Sequence, residues 1–185
     1  ELPTRADDGT LRFAPALLQK NADSSGGYLP LTAANVIRQA FKFLGERYGW
    51  GHSCDARDCS GFVSDVYRSM GVEMPRNTST QSVSPALNRR LFTAADGHDV
   101  RYAAARALQV GDLVYIPGHV MMVIGRIDDE PYVIHDTSGF SYRARDGSVK
   151  RVKLNEVSVT PLLPLLFGNQ TSYVDQMTSI VRMRP

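Results

Sequence analysis

The sequence has 185 residues, of which 43% are hydrophobic and 22% charged, a composition typical of one globular domain with its own core. Lys and Arg number 21 and Asp and Glu 19, so the formal net charge of +2 is too small for a sequence-independent grip on nucleic acid. The apolar runs are short and broken by proline, as in residues 161–167, so we expect no segment that spans a membrane.

The first 31 residues carry no persistent helical or strand period, and residues 23–27 are rich in glycine and serine. We interpret residues 1–31 as the end of a preceding domain or as a linker. Residues 32–185 are then one folded domain.

Two helices are predicted in the first half of that domain. Thr32 can cap a helix that reaches Leu44, and a second helix is predicted from Cys59 to Met70, each followed by a glycine. Residues 48–58 contain alternating glycines and then polar residues, which predicts a loop with unusual backbone dihedral angles.

Three short strands are predicted downstream, at residues 113–116, 119–124 and 132–135, where β-branched and aromatic residues lie between turn signals. Helices followed by an antiparallel sheet indicate the α+β class.

Cys59 lies in the first turn of the second predicted helix. A thiol attacks carbonyl carbon as the thiolate, and a free cysteine with a pKa of about 8.5 is only slightly ionised at neutral pH. A helix N-terminus favours the thiolate and offers free backbone N–H groups for an oxyanion. The small neighbours Ser60 and Gly61 would let a substrate approach, whereas Cys54 lies in the predicted loop and is expected to be a bystander. The alternative is that Cys59 is a small buried core residue.

Two histidines follow on the predicted strands. If Ile124 pairs with Tyr132, His119 lies one diagonal step from His135 on the same face of the sheet, within reach of one hydrogen bond. His119 is thus a candidate general base and His135 its orienting partner. Asp136 competes for the orienting role, but strand alternation points it to the opposite face.

A zinc site is a rival interpretation of the same residues. It would use His52, Cys54, Cys59 and His119, although structural zinc sites usually have two compact ligand pairs.

Residues 58–62 (Asp-Cys-Ser-Gly-Phe), 118–120 (Gly-His-Val) and 133–135 (Val-Ile-His) resemble the motifs of the NlpC-type cell-wall cysteine peptidases. The resemblance covers residues 32 to about 140 and implies a circularly permuted papain-like fold. It also implies hydrolysis of peptidoglycan stem peptides, commonly between D-γ-glutamate and a diamino acid, without a cofactor or metal.

The resemblance assigns roles to particular positions. It makes Cys59 the nucleophile, His119 the base and His135 the third, orienting residue, while the Tyr48 hydroxyl borders the oxyanion site. Asp58, Ser60 and Trp50 become the expected substrate-binding residues, with Asp58 and Ser60 placed to hold a free stem-peptide amine. Asp58 has the alternative role of capping the helix.

Further stretches resemble a subgroup with small Src-homology-type β-barrels ahead of the catalytic domain, whose last part would be residues 1–30. The spacing from His119 to His135 is longer than in simple members. By resemblance we expect a monomeric bacterial protein of the periplasm or cell exterior. A catalytically silent wall-binding module and an acyl transferase on the same Cys–His scaffold are two further rival interpretations of this sequence.

Overall fold

The computed structural model describes residues 1–17, 23–168 and 171–183, without the side chain of Cys54. Within these ranges, helices pack on an eight-stranded antiparallel sheet, and a separate two-stranded hairpin precedes them. The predicted α+β class is therefore confirmed.

The helices begin where the sequence predicts and end somewhat earlier. Thr32 Oγ1 accepts a hydrogen bond from the Asn35 backbone N–H and caps the first helix, which ends at Phe41 rather than Leu44. The helices are α1 (Ala33–Phe41), α2 (Cys59–Arg68), α3 (Thr78–Val83) and α4 (His98–Arg106), and a 3-10 helix spans Trp50–Asp55. Among the described helices, none has the length and apolar character needed to cross a membrane.

The described residues form more strands than the three that were predicted, and two of those three are longer than predicted. The strands are β1 (Leu2–Arg5), β2 (Leu11–Ala14), β3 (Asn88–Leu91), β4 (Leu113–Ile116), β5 (His119–Ile127), β6 (Glu130–Arg143), β7 (Val149–Pro161), β8 (Leu165–Phe167), β9 (Thr171–Ser172) and β10 (Ser179–Arg182). The order in the large sheet is β3-β10-β4-β5-β6-β8-β9, and β7 pairs with β6. The predicted strands β4, β5 and β6 form its centre.

Both faces of the sheet centre are covered. Val120 and Met122 of β5 pack with Phe62 and Val66 of α2 in one buried cluster. The alternate residues of β5, including Met121, pack on the other face with α4 and the segment around Leu162. This burial on both sides explains why the central strands are almost continuously apolar.

The β5–β6 hairpin contains one irregularity that the sequence analysis did not predict. Tyr132 pairs with Gly125 instead of Ile124, because the register shifts between Val123 and Gly125. On the histidine side of this bulge, Met122 pairs with Ile134, which is the predicted register. The position of His119 relative to His135 therefore follows the prediction although the Ile124–Tyr132 pair was wrong.

The N-terminal segment contains a hairpin where no strand period was predicted. β1 and β2 pair with each other, and Leu2, Leu11 and Phe13 are all more than half exposed. Because both faces of this hairpin are open, its side chains need not alternate between apolar and polar, and the sequence carries no strand signal. The assignment of residues 1–31 to a preceding domain or linker stays a prediction.

Buried Gln81 of α3 connects three elements. Its side-chain amide nitrogen lies 3.0 Å from Ser64 Oγ, 3.3 Å from the Ser60 carbonyl oxygen and 2.8 Å from the Pro75 carbonyl oxygen. Its carbonyl oxygen accepts a hydrogen bond from the Tyr115 hydroxyl of β4 at 3.2 Å. Gln81 thereby holds α2, α3 and the sheet together in a region that water does not reach.

Gln81→Met keeps the side-chain volume but leaves these buried polar groups without partners, so we expect a loss of about 2–4 kcal/mol in the free energy of unfolding. Urea unfolding followed by circular dichroism measures it. Gln39→Met on α1 is the matched control, because the Gln39 side chain accepts a hydrogen bond from Lys42 near the surface, and it should change stability by less than about 0.5 kcal/mol. Equal losses in the two variants would contradict the connecting role.

Candidate active site

Cys59 is the first residue of α2, and its sulfur faces the start of β5. Sγ lies 4.0 Å from the carbonyl oxygen of Gly118, and the Val120 backbone N–H also bonds to the sulfur. The residues on both sides of His119 therefore contact the thiol. Because α2 begins at Cys59, the Cys59 N–H has no acceptor within the helix.

Gly61 allows the chain to close around this helix start. A Cβ atom built on Gly61 would lie 1.9 Å from His52 Nε2, so the imidazole of the 3-10 helix packs directly on the Gly61 backbone. A side chain at position 61 would displace that ring. The small residue near Cys59 thus has a packing cause as well as the predicted role in substrate access.

A cavity of about 220 Å³ opens over the thiol. Its lining brings together three of the residues singled out in the sequence, Cys59, His119 and Tyr48. The complete lining is Tyr48, Cys59, Pro117, Gly118, His119, Asp136, Thr137, Ser138, Gly139, Phe167 and Tyr173.

Behind His119 lies a chain of hydrogen bonds. His119 Nε2 is 2.8 Å from His135 Nδ1, and His135 Nε2 is 3.1 Å from Thr160 Oγ1 of β7. His119 can act as a base toward the thiol only through Nδ1, since Nε2 is engaged. That requires the tautomer in which His119 Nε2–H donates to His135 and His135 Nε2–H donates to Thr160.

Burial keeps the thiol and the imidazole neutral. It raises the pKa of Cys59 to about 11, although hydrogen bonds from the Val120 and Ser60 backbone N–H groups act in the opposite direction. It also lowers the pKa of His119 to about 4, and burial together with His119 lowers the pKa of His135. Burial therefore shifts the thiol and both imidazoles toward their neutral forms.

Asp58 is the N-cap of α2 and the centre of a polar network. Its Oδ1 accepts hydrogen bonds from Gly61 N–H, Ser60 Oγ and Arg76 Nη1, and its Oδ2 accepts from Arg76 Nη2 and Gly51 N–H. Burial alone would raise the pKa of Asp58, but the hydrogen bonds from Arg76, Gly61 and Ser60 and the charge of Arg76 outweigh it and hold this pKa at about 2. The carboxylate is thus ionised and fully engaged.

The two aromatic residues of the 48–51 segment have different positions. Tyr48 lines the cavity, and burial, the largest cause, together with the nearby groups Cys59, Asp58 and Asp136 raises its pKa to about 12, so its hydroxyl is a hydrogen-bond donor at neutral pH. Trp50 is 80% exposed and is absent from the described lining of the cavity. The segment does adopt the predicted unusual dihedral angles, with positive φ at Gly51 and His52.

Sequence reasoning missed Arg76 and gave Asp136 no role in the site. Arg76 follows Met74-Pro75 in a stretch without a periodic pattern, so only its charge could have suggested a partner for Asp58. Asp136 was considered only as a competitor for orienting His119, and strand alternation argued against that role. Its carboxyl group is fully buried, and neither oxygen has a hydrogen-bond partner among the described residues.

The zinc interpretation lacks a ligand cluster in the described part of the chain. No group of three or more described His, Cys, Asp or Glu side chains is placed to hold a metal ion. The Cys54 side chain lies outside the described set. Nε2 of His119 is engaged with His135 instead of facing a ligand group.

A second and larger cavity of about 720 Å³ adjoins the first. Ser138, Gly139, Phe167 and Tyr173 line both cavities, so the two lie next to each other. The walls that belong only to the larger one include two cations of β7, Arg151 and Lys153, and residues of β6 such as Phe140.

The sheet, the buried helix with a cysteine at its N-terminus and the histidine pair on adjacent strands define a papain-like α+β protein. Two solved structures share this fold. An NlpC/P60 endopeptidase from Photobacterium damselae subsp. piscicida matches with a TM-score of 0.76 at 16% identity, over 97% of this chain and 45% of that one. An NlpC/P60 family protein from Bacillus cereus matches with a TM-score of 0.58 at 23% identity, over 99% of this chain and 50% of that one.

A model of the NlpC/P60 family matches residues 45–158, more than half of the chain, and the chain therefore belongs to that family. The β-barrel subgroup suggested by residues 1–30 is not part of this finding.

Sequence relatives match over shorter stretches. Probable endopeptidase p60 of Listeria seeligeri is 40% identical over 50 residues, which cover 26% of this chain and 10% of that protein. Dipeptidyl-peptidase 6 of Lysinibacillus sphaericus is 27% identical over 93 residues, 50% of this chain and 29% of that protein. The chain thus spans less than a third of these relatives and about half of the two solved structures.

Proposed function

We propose that this chain is a cysteine endopeptidase that hydrolyses peptidoglycan stem peptides at the bond between D-γ-glutamate and a diamino acid. The observation that carries this proposal is the thiol of Cys59 at a helix N-terminus, in one cavity with an imidazole that a second imidazole holds. Membership of the NlpC/P60 family and the likeness to endopeptidases support the reaction class.

The proposed reaction starts from the neutral pair. His119 Nδ1 takes the thiol proton while Sγ attacks the amide carbonyl carbon, and the resulting oxyanion is held by the Cys59 N–H and the Tyr48 hydroxyl. The imidazolium then gives its proton to the leaving amine, which breaks the C–N bond and leaves a thioester on Cys59. Water attacks the thioester with His119 again as base, releases the carboxylic acid and restores the thiol. His135 orients the His119 ring throughout.

The larger cavity suits the rest of an anionic peptide. Stem peptides carry free carboxylates next to the proposed bond, and Arg151 and Lys153 provide positive charge beside the cavity that holds the nucleophile. We assign this cavity to substrate residues on one side of the bond. The proposed substrate places the protein in the periplasm or outside a bacterial cell, where we expect it to act as a monomer.

Cys59→Ala should abolish cleavage of purified muropeptides, since no other group of the site supplies the nucleophile, whereas Cys54→Ser should keep most of the activity. Mass spectrometry of the products measures both. Hydrolysis adds one water across the broken bond, while an acyl transferase would add an amine instead. Equal losses in the two variants would favour a metal or disulfide role for the cysteines.

His119→Ala should lower kcat by about 10³-fold or more, because the base transfers a proton at each step. His135→Asn should cost much less, about 10–100-fold, because an amide can still accept from His119 Nε2–H and donate to Thr160. Steady-state kinetics on a muropeptide test this order. Near-native activity of His119→Ala would show that the base assignment is wrong.

The hydrogen bonds of Asp58 bear on whether this carboxylate binds a free stem-peptide amine. The Asp58 carboxylate already accepts from five donors, and a carboxylate offers about four lone-pair sites, so the cap role is favoured over amine binding. We therefore expect L-Ala-γ-D-Glu-diaminopimelate and its N-acetyl form to be cleaved with kcat/KM values within about threefold of each other. A loss of about ten- to hundredfold on acetylation, reduced in Asp58→Asn, would instead support the amine recognition that the sequence suggests.

A further inference from the structure

Asp136 is an unexplained acid inside the candidate active site. The residue has 0% exposure, and Oδ1 and Oδ2 both lack hydrogen-bond partners among the described residues. It lines the cavity of about 220 Å³ together with Cys59 and His119. Buried polar groups in folded proteins almost always have partners, so a carboxyl group with none requires a specific explanation.

Asp136 does not hold the catalytic histidine. It follows His135 on β6, and alternation places the two side chains on opposite faces of the sheet. Its strand partner on β7 is Val157, which belongs to the same buried cluster as Cys59. Asp136 therefore lies on the α2 side, where the thiol is.

Asp136 has no cationic partner among the described residues, although the carboxylates near it do. Asp58 is balanced by Arg76, and Glu46 by Arg57, but no cation is paired with Asp136 itself in the described structure. Titratable and charged groups face Asp136 from three neighbouring parts of the chain. They are Glu46 and Tyr48 in the segment after α1, Arg57, Asp58 and Cys59 at the start of α2, and His119 of β5. On β7, Glu156 lies opposite the next residue, Thr137.

We propose that Asp136 is a positioning residue that modulates the ionisation of Cys59, so that the thiolate forms more readily while Asp136 is a neutral carboxylic acid. The geometry carries this inference, because a buried acid without a counter-ion shares one small cavity with the thiol. It rests on the proposed function only in that Cys59 is taken as the nucleophile.

The direction of the effect follows from Coulomb's law. Burial, the largest cause, and the nearby carboxylates Asp58 and Glu46 raise the pKa of Asp136 to about 7. Above that pH the new negative charge of Asp136 disfavours a second negative charge on Cys59, and it is one of the causes that raise the thiol pKa. Below that pH Asp136 is uncharged and this repulsion is absent.

The test measures thiol reactivity and needs no substrate. In the Cys54→Ser background, Cys59 is the sole thiol, and its alkylation by iodoacetamide is followed from about pH 5.5 to about pH 9. Asp136→Asn removes the charge with almost no change of shape. We expect the variant and its parent to react at equal rates at about pH 5.5 and the variant to react about three- to tenfold faster at about pH 8.5.

Asp129→Asn is the matched control. It also removes one carboxylate from the β5–β6 hairpin, but at the turn, where Asp129 pairs with Arg106. Its alkylation rate should equal that of the parent at every pH. A rate ratio for Asp136→Asn that does not change with pH, or a slower rate at high pH, overturns the proposal.

A second measurement covers the case in which Asp136→Asn does not fold. The carboxyl ¹³C chemical shift of Asp136 in the unmodified protein should titrate with a midpoint of about 7. A midpoint below about 5 would mean that Asp136 is ionised throughout the neutral range, and would overturn the proposal. Neither experiment depends on peptide hydrolysis, so a missing peptidase activity would refute the proposed function without touching this inference.

Discussion

The site depends on the hydrogen bonds that the Asp58 carboxylate accepts. They come from three segments that are separate in the sequence, namely Gly51 in the 3-10 helix, Ser60 and Gly61 in α2, and Arg76 ahead of α3. Because they fix where α2 begins, they also fix the Cys59 sulfur against the start of β5. A charge-assisted bond contributes about 1.5–3 kcal/mol, so this one carboxylate stabilises a loop arrangement that has little regular structure of its own.

Two opposing effects set the state of the thiol. The helix N-terminus favours a thiolate by about 0.3–2 kcal/mol, depending on burial. Burial acts in the opposite direction and raises the Cys59 pKa from 9.0 to about 11, a difference of about 3 kcal/mol between the two protonation states. Desolvation therefore prevails in the resting site. In the proposed mechanism the helix end matters most during attack, when charge moves from sulfur to the oxyanion next to the Cys59 N–H.

Local patterns predicted the centre of the fold, and long-range pairing determined the rest. The second helix, β4 and the starts of β5 and β6 follow from apolar periodicity and glycine stops. β10 (Ser179–Arg182) could not be placed, because it inserts between β3 and β4 although about 65–95 residues separate it from either in sequence. In the site, motif residues such as Cys59 and His119 were visible. The pairing of Arg76 with Asp58 and the lack of hydrogen-bond partners for Asp136 among the described residues could not be predicted, since both depend on which chain segments fold around them.

Strand β6 connects the chemistry of the site with its electrostatics. His135 and Asp136 are consecutive, so His135 lies on the face that carries His119 and Asp136 on the face that α2 covers, and a slip of one residue would exchange them. Pairing with β7 fixes this register, because His135 lies opposite Ser158 and Asp136 opposite Val157. Each strand pair of β6 also contains one register shift. The shift in the pair with β5 lies at Val123/Gly125, and the shift in the pair with β7 lies at Thr137/Gly139. The second shift encloses Ser138 and Gly139, two residues that line both cavities. This irregularity within β6 therefore lies beside both of the cavities that we propose for the peptide substrate.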